Sequence, residues 1–314
     1  MIARRLFPAI GIVLATSLTA CQPADPGRSD SGSEAAIESA TTAPVVEVTA
    51  RDYAFDGPDE IPSGWTTFRL KNEGKEHHFL LLNRLPDGKT FEEYVAEVAL
   101  PFDSVWHELR KGAIDKAEAG ALLGQLLPGW FASVKQMGGP GLVAPGGVAQ
   151  TSVKLEPGTY VMECYVKTPD GEFHGMLGMA RALTVTGVPS GASEPEADVA
   201  ITLSNFEMAI EGDVKAGQQT VAVHFQEHPE IGLGNDVHVV RMEEGTDMGV
   251  VVLWMDWMSV QGLRDPAPAA FVGGAHEMPV GHTSYFTLDL TPGRYAWIAE
   301  SSAEKGMVKE FAIE

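Results

Sequence analysis

The chain repeats itself, and that repetition constrains its fold more than any other feature. Residues 46–48 and 199–203 both open on alternating apolar positions. Each is followed by an aromatic (Tyr53, Phe206) eleven positions before a turn glycine (Gly64, Gly217), then by a strand-like run that reaches a histidine (His77, His238). Further on, Gly138-Gly139 and Gly273-Gly274 precede a Gly-x-Tyr (Gly158 to Tyr160, Gly293 to Tyr295) by the same spacing. Both copies then end in Gly-Met (Gly178-Met179, Gly306-Met307) and a short β-rich run. Matched anchors at matched spacing indicate duplication of one domain. Each copy reads as short β-rich segments broken by Pro-Gly and Asn/Asp-Gly turns, which predicts an antiparallel sandwich. The expected fold is all-β, with two tandem sandwiches over 45–186 and 199–314. The stretch between them, 187–198, is rich in Pro, Gly, Ser and Glu and reads as a linker. The first copy carries an extra segment, about 88–137. There Phe91, Tyr94, Val95 and Val98, and then Leu122, Leu123, Leu126 and Leu127, recur at helical spacing, predicting an insertion of two or three helices. The second copy has a shorter counterpart around 254–263, whose Met and Trp residues read as core filling.

The N-terminus reads as an export signal. Arg4 and Arg5 lead into an apolar run over 6–18, shorter than the roughly 20 residues a spanning helix needs. Leu18-Thr19-Ala20-Cys21 resembles the lipobox of bacterial lipoproteins, which implies cleavage after residue 20 and lipid on Cys21. Residues 21–44 are polar and small, a composition that reads as a flexible tether. Gln22 after the lipidated cysteine points to the periplasmic side of the outer membrane rather than the inner one. Loss of 1–20 moves the formal charge from −21 to −23. That balance argues against nucleic acid as a partner, since phosphate binding needs clustered Lys and Arg, and it favours cationic partners.

The chemistry concentrates in Gly158-Thr159-Tyr160-Val161-Met162-Glu163-Cys164, His174 and Gly178-Met179, together with Asn72-Glu73-Gly74-Lys75-Glu76-His77 upstream. Here the chain resembles the cupredoxins, the blue-copper family that includes plastocyanin, in which Gly-x-Tyr-x-x-x-Cys, a loop, His, four residues and Met close the fold and an Asn-x-Gly-x-x-His supplies the last ligand. The resemblance implies a Greek-key β-sandwich and copper ligands His77, Cys164, His174 and Met179. Adjacent strand residues face opposite sides, so only one of His77 and His78 can point inward. The motif register selects His77, with His78 as the alternative, and Met179 over Met176. A thiolate and two imidazoles with a weak axial thioether suit both Cu(I) and Cu(II). The set leaves no open position for a substrate, which favours electron transfer, with a redox partner such as a cationic cytochrome. The loop between Cys164 and His174 holds nine residues, longer than in small cupredoxins.

Other functional readings meet the same residues. Copper nitrite reductases and multicopper oxidases place a His beside the copper cysteine, whereas Cys164 is flanked by Glu163 and Tyr165. The expectation is therefore a non-enzyme. A metal-free binding or assembly module and a Cu(I) holding or delivery protein remain as alternatives. The glycine-rich stretch 138–147 lacks a following Lys-Ser or Lys-Thr and is not a phosphate cradle. In the second copy Ala299 matches Cys164 and no His lies between Ala299 and Met307, so His238 alone survives of the expected set. His224, His228, His276 and His282 show no diagnostic spacing, and His224 and His228 read as solvated surface groups. The chain has two cysteines; if lipid consumes Cys21, Cys164 has no disulfide partner within the chain, and a metal explains such a thiol.

Overall fold

The computed structural model describes residues 42–229 and 234–314. The expected signal peptide, Cys21 and the tether up to residue 41 lie outside the described residues. Among the described residues no helix is long and apolar enough to cross a membrane.

The first repeat opens with β1 (Val45–Arg51), whose inward positions Val46, Val48 and Ala50 alternate with exposed ones, the period-2 pattern of a half-buried strand. After the short β2 (Ala54–Asp56), β3 (Glu60–Asn72) runs through both faces of the sandwich. Its start pairs with the closing strand, while its later part pairs in parallel with β1 and antiparallel with β6 (Val148–Leu155). The strand changes sheets at a bulge between Pro62 and Ser63, next to Gly64 at φ 98°. The other face is built from β4 (Leu81–Arg84), β5 (Lys135–Gln136), β7 (Gly158–Glu163) and β8 (Ala180–Pro189). β8 runs on into the segment read as linker.

The insertion holds α1 (Phe91–Tyr94), a π turn over Val95–Ala99, α2 (Leu100–Arg110) and α3 (Lys116–Leu126). Thr90 with Glu93, and Asp115 with Glu118, form reciprocal capping boxes that start α1 and α3. Pro101 lies just past the π turn, inside a helical run unbroken from Phe91 to Arg110, and has no N–H to give the ladder just where Leu100 N–H reaches back to Val95 C=O.

The second repeat uses the same plan. β9 (Val199–Ser204) lies parallel to β11 (Gly217–Glu227) as β1 does to β3, with β10 (Glu207–Glu211) outside. β12 (Val237–Met242), β13 (Ala270–Ala275), β15 (Gly293–Ile298) and β16 (Val308–Ile313) form the opposite face, and β14 (Thr283–Leu290) corresponds to β6. One short helix, α4 (Met248–Trp254), ends where the helical counterpart was expected to begin; Trp254 and Met255 pack into the core. The structure is mostly β, two tandem sandwiches built on one plan with a helical insertion in the first.

The two halves meet about a local two-fold axis. The equivalent strands β6 and β14 pair antiparallel with Thr151 opposite Phe286, so twelve strands run as one sheet through both repeats. Around the same axis Gly138 N–H donates to Glu277 C=O (2.8 Å) and Gly273 N–H to Leu142 C=O (2.9 Å). Gly141 N–H donates to Gly274 C=O (3.1 Å) and His276 N–H to Gly139 C=O (3.2 Å). This is the self-complementary pattern of a two-fold dimer within one chain. Gly141 makes the approach possible, since a Cβ there would meet Gly274 Cα and His238 Nδ1 of the other half at 2.8 Å. Within each half the Gly-Gly pair lies against its own neighbouring strand, a Cβ on Gly139 overlapping the Leu80 carbonyl and one on Gly274 the Val237 carbonyl. Gly139→Ala is therefore expected to cost about 2–3 kcal/mol, a Tm drop of roughly 5–10 °C in thermal denaturation. Gly146→Ala, with positive φ (78°) but open space around it, is the control at about 1 kcal/mol. Equal losses would remove close packing from the account of Gly139.

Candidate metal centre

The loop after β3 is clamped by Asn72. Its side-chain amide donates to Glu76 C=O (2.8 Å) and Val143 C=O (3.0 Å), and its carbonyl accepts Gly74 N–H (2.9 Å). Gly74 carries no side chain because the Asp52 carboxylate and the His78 ring occupy that space. The chain leaves the clamp through a backbone bridge between His78 and Val143. This sets the two histidines on opposite sides, and the inward one is His78, fully buried. His77, the residue the motif register selected, points instead toward the second repeat. Its N–H and Nδ1 both meet Asp265 Oδ1 at 3.0 Å, and its ring packs edge-on against Trp254 and Phe271. The structure corrects the upstream ligand from His77 to His78, because the clamp closes at Glu76 and the bridge fixes the residue two places on.

Cys164, His174 and Met179 are stitched together by their backbones. Cys164 N–H donates to Met179 C=O (3.1 Å), Met179 N–H to His174 C=O (3.0 Å) and His174 N–H to Val166 C=O (2.8 Å). All three side chains are fully buried. Met176, the alternative to Met179, is half-buried and lines a cavity of about 790 Å³ roofed by Phe91, Tyr94, Val98 and Phe102 of the insertion. His174 Nδ1 lies 3.2 Å from His78 Nδ1, and Cys164 Sγ lies 3.7 Å and 4.0 Å from the two rings. Three atoms so spaced sit on a circle of radius about 2.1 Å, within the roughly 2.0–2.3 Å range of nitrogen and sulfur bonds to a first-row metal.

Two carboxylates orient the rings, and nothing in the sequence pattern pointed to them. Asp52 Oδ1 meets His78 Nε2 at 2.8 Å and Glu76 Oε2 meets His174 Nε2 at 2.8 Å. Ionised carboxylates only accept, so each ring carries its proton on Nε2 and turns a bare Nδ1 lone pair toward Cys164. Tyr53 O–H donates to the other oxygen of Glu76 (3.1 Å) and packs against the His174 ring. Burial pushes the Cys164 thiol up to about 12, so only a bound cation makes it a thiolate. Burial alone would raise Asp52, but the Lys75 N–H and the His78 ring outweigh it and hold the carboxyl below its ordinary range. Bare imidazole lone pairs, a convergent sulfur and satisfied outer nitrogens fit copper as the donor chemistry requires.

The long Cys164–His174 loop is braced on two sides. From α2, Trp106 Nε1 donates to Gly171 C=O and Arg110 to Asp170 C=O, each at 2.8 Å. From the second repeat, Leu263 C=O accepts Lys167 N–H (2.7 Å), Asp265 N–H returns to Lys167 C=O (2.9 Å), and Lys167 Nζ donates to the carbonyls of Trp257 and Ser259. Nine residues thus behave as a fixed surface instead of a free loop.

The strand register also locates the counterpart positions in the second repeat. Tyr160 opposite Arg84 matches Tyr295 opposite Arg241, which aligns Leu81 with His238 and His78 with Asn235. Ala299 N–H donates to Met307 C=O (3.0 Å) and Met307 N–H to Ser302 C=O (3.2 Å), repeating the bonds of Cys164, Met179 and His174. The matched set is Asn235, Ala299, Ser302 and Met307, closed by a hydrogen bond from Ser302 Oγ to Asn235 Oδ1 (3.0 Å). His238 is thus not the remnant ligand it was expected to be; it occupies the place of an apolar strand residue. His228, expected to be solvated, is half-buried: Nδ1 accepts the Asn235 N–H (3.0 Å) and Nε2 donates to Met278 C=O (2.8 Å).

No family model and no curated protein matches the sequence. Solved structures that are similar include dithionite-reduced auracyanin from Roseiflexus castenholzii, at 20% identity and TM-score 0.26 over 46% of this chain and 99% of that one. Auracyanin A, a "blue" copper protein from Chloroflexus aurantiacus, gives 21% and 0.27 over 45% and 98%. A multicopper oxidase gives 15% and 0.25 over 88% and 92%. At those levels the functional reading rests on the site itself.

The site predicts a pH dependence in the metal-free chain. Burial, and then His174, push His78 down to about 4, so the folded chain binds fewer protons than the unfolded one. Stability from neutral His78 is complete above pH about 6.5 and drains away as pH falls toward 4, a loss of about 2–3 kcal/mol by pH 4.5. Urea unfolding of chelator-treated protein at pH 7 and 4.5 measures it. His78→Gln should flatten that part of the profile; an unchanged slope would mean His78 is not buried neutral.

Proposed function

We propose that the chain is an extracytoplasmic, membrane-tethered copper protein whose first repeat holds one type 1 (blue) copper and carries single electrons. The observation that carries the reading is the convergence of His78 Nδ1, His174 Nδ1 and Cys164 Sγ on a point about 2.1 Å from each, in a fully buried pocket. Copper bound there would alternate between Cu(I) and Cu(II) and so store one electron. The chain's own part is to keep the ligands still. Asp52 and Glu76 hold the ring tautomers, Asn72 holds the loop, and the backbone bonds among Cys164, His174 and Met179 fix the remaining donors. Little then has to move when the charge at the centre changes. Met179, buried and bonded through its backbone to Cys164 and His174, would be the fourth residue to hold the ion. The flanking residues Glu163 and Tyr165 offer no imidazole beside Cys164, which favours a carrier over an oxidase. Strong net acidity favours a cationic redox partner, a cytochrome being the natural class. Lipid on Cys21 would keep the protein at the periplasmic face of the outer membrane.

The test is the visible spectrum of the mature chain loaded with Cu(II). A strong thiolate-to-copper absorption is expected in the wild type and in His77→Ala, and its loss in Cys164→Ser and His78→Ala. A colourless wild-type protein, or a band that survives His78→Ala, would overturn the assignment.

A further inference from the structure

Asp236, His238, His276 and Glu300 form a second group of ligating side chains, all from the second repeat, with donor atoms within 4.8 Å of one another. All four are buried, His238 at 0% and His276 at 1% exposure. The outer atoms of three are already engaged. Asp236 Oδ1 accepts Glu300 N–H (2.8 Å), Glu300 Oε2 accepts Tyr165 O–H (3.0 Å) and His238 Nδ1 accepts Leu142 N–H (3.0 Å). The inner atoms are not: His238 Nε2, His276 Nε2 and Glu300 Oε1 find no hydrogen-bond partner among the described residues. Buried polar atoms are rarely left so, and three facing one point call for an occupant.

The fold itself does not require these residues. In the strand register and about the local two-fold, Asp236, His238, His276 and Glu300 stand where the first repeat has Phe79, Leu81, Gly141 and Tyr165. The same interior positions are thus apolar, aromatic or empty in one copy and ligating in the other. Charge points the same way. Among the described residues the ion-pair contacts of the two carboxylates run only to His238, at 3.4 Å each, and no Lys or Arg reaches them. Against the effect of burial the carboxylates raise that ring to about 9, so its proton is the one source of positive charge there. Burial, reinforced by Asp236, pushes the Glu300 carboxyl up to about 7, and burial holds His276 well below its ordinary value, as a neutral imidazole.

We propose that Asp236, His238, His276 and Glu300 bind one divalent first-row transition-metal ion at the junction of the two repeats, separate from the Cys164 centre. Two imidazoles and two carboxylates are donors that zinc and its neighbours accept, and a 2+ charge cancels both carboxylates. Uptake releases the proton that Glu300 holds near neutral pH and exacts one rearrangement at His238. With Nδ1 accepting from Leu142, His238 carries its proton on Nε2, so coordination there moves that proton to Nδ1 and gives up the Leu142 bond. Because Tyr165 and Leu142 come from the first repeat, the ion sits against the contact that joins the halves.

The experiment uses the mature chain carrying Cys164→Ser and His78→Gln, which dismantles the first centre. After chelator treatment, zinc is titrated in equilibrium dialysis and cobalt is added as a spectroscopic probe. One equivalent is expected to stay bound, to raise Tm, and to weaken at least about a hundredfold when His276→Ala or Glu300→Gln is added. No retained equivalent, or one indifferent to both changes, overturns the proposal. If the doubly substituted background does not fold, the metal content of wild type decides: two ions per chain against one in Glu300→Gln supports the site, and one in both refutes it. A missing blue band with zinc still bound here would count against the copper reading alone.

Discussion

The antiparallel pairing of β6 with β14 about a local two-fold axis is the constraint on which the rest of the molecule depends. Two equivalent edge strands that would otherwise present unpaired N–H and C=O groups satisfy one another, so duplication removes a liability that a single sandwich must cover by other means. The close approach depends on Gly141, where a Cβ would meet Gly274 Cα and His238 Nδ1 of the other half at 2.8 Å. Once the halves are locked, each serves the other's chemistry. Asp265 of the second repeat captures His77 and so leaves His78 as the inward ring, and the 257–265 segment pins the loop between two ligands through Lys167.

Electrostatics then decides what the buried sites tolerate. Two imidazoles with bare nitrogens 3.2 Å apart cannot both be protonated, and burial removes the water that would relieve them. Placing a carboxylate behind each ring fixes the tautomer and supplies negative charge beyond the ligands. Such charge favours the more positive state of any metal the rings face. A cation bound in this pocket would displace the Cys164 proton.

Much of this was legible in the sequence because it is written in local pattern. Alternation gave β1, helical spacing over Phe91 to Val98 and Leu122 to Leu127 gave the insertion, and the resemblance carried by the Gly-x-Tyr to Gly-Met stretch grouped Cys164, His174 and Met179. What escaped was set by contacts far apart in the chain. The choice of His78 over His77 depends on a bridge to Val143 and on Asp265, neither of which leaves a mark at residue 77. Asp52 and Glu76 belong to no motif. Equating His77 with His238 failed because the loop after the long strand differs in length between the copies. Only the hydrogen-bond register against Tyr160 and Tyr295 restores the alignment.

The register changes the meaning of the duplication. Read along the chain, the second repeat is a copy that lost its ligands and kept one histidine. Read in the folded structure, its former centre is closed by Asn235 and Ser302, a neutral pair that satisfies itself and needs no ion. Its titratable groups lie one strand position away, against the first repeat. The two sets share no residue. Four ligating side chains converging in a dry interior, three of them with an inner atom unpaired, carry a desolvation cost that a bound cation would offset. The second half of the chain is thus more than a scaffold for the first, since its buried titratable groups gather at the seam between the two.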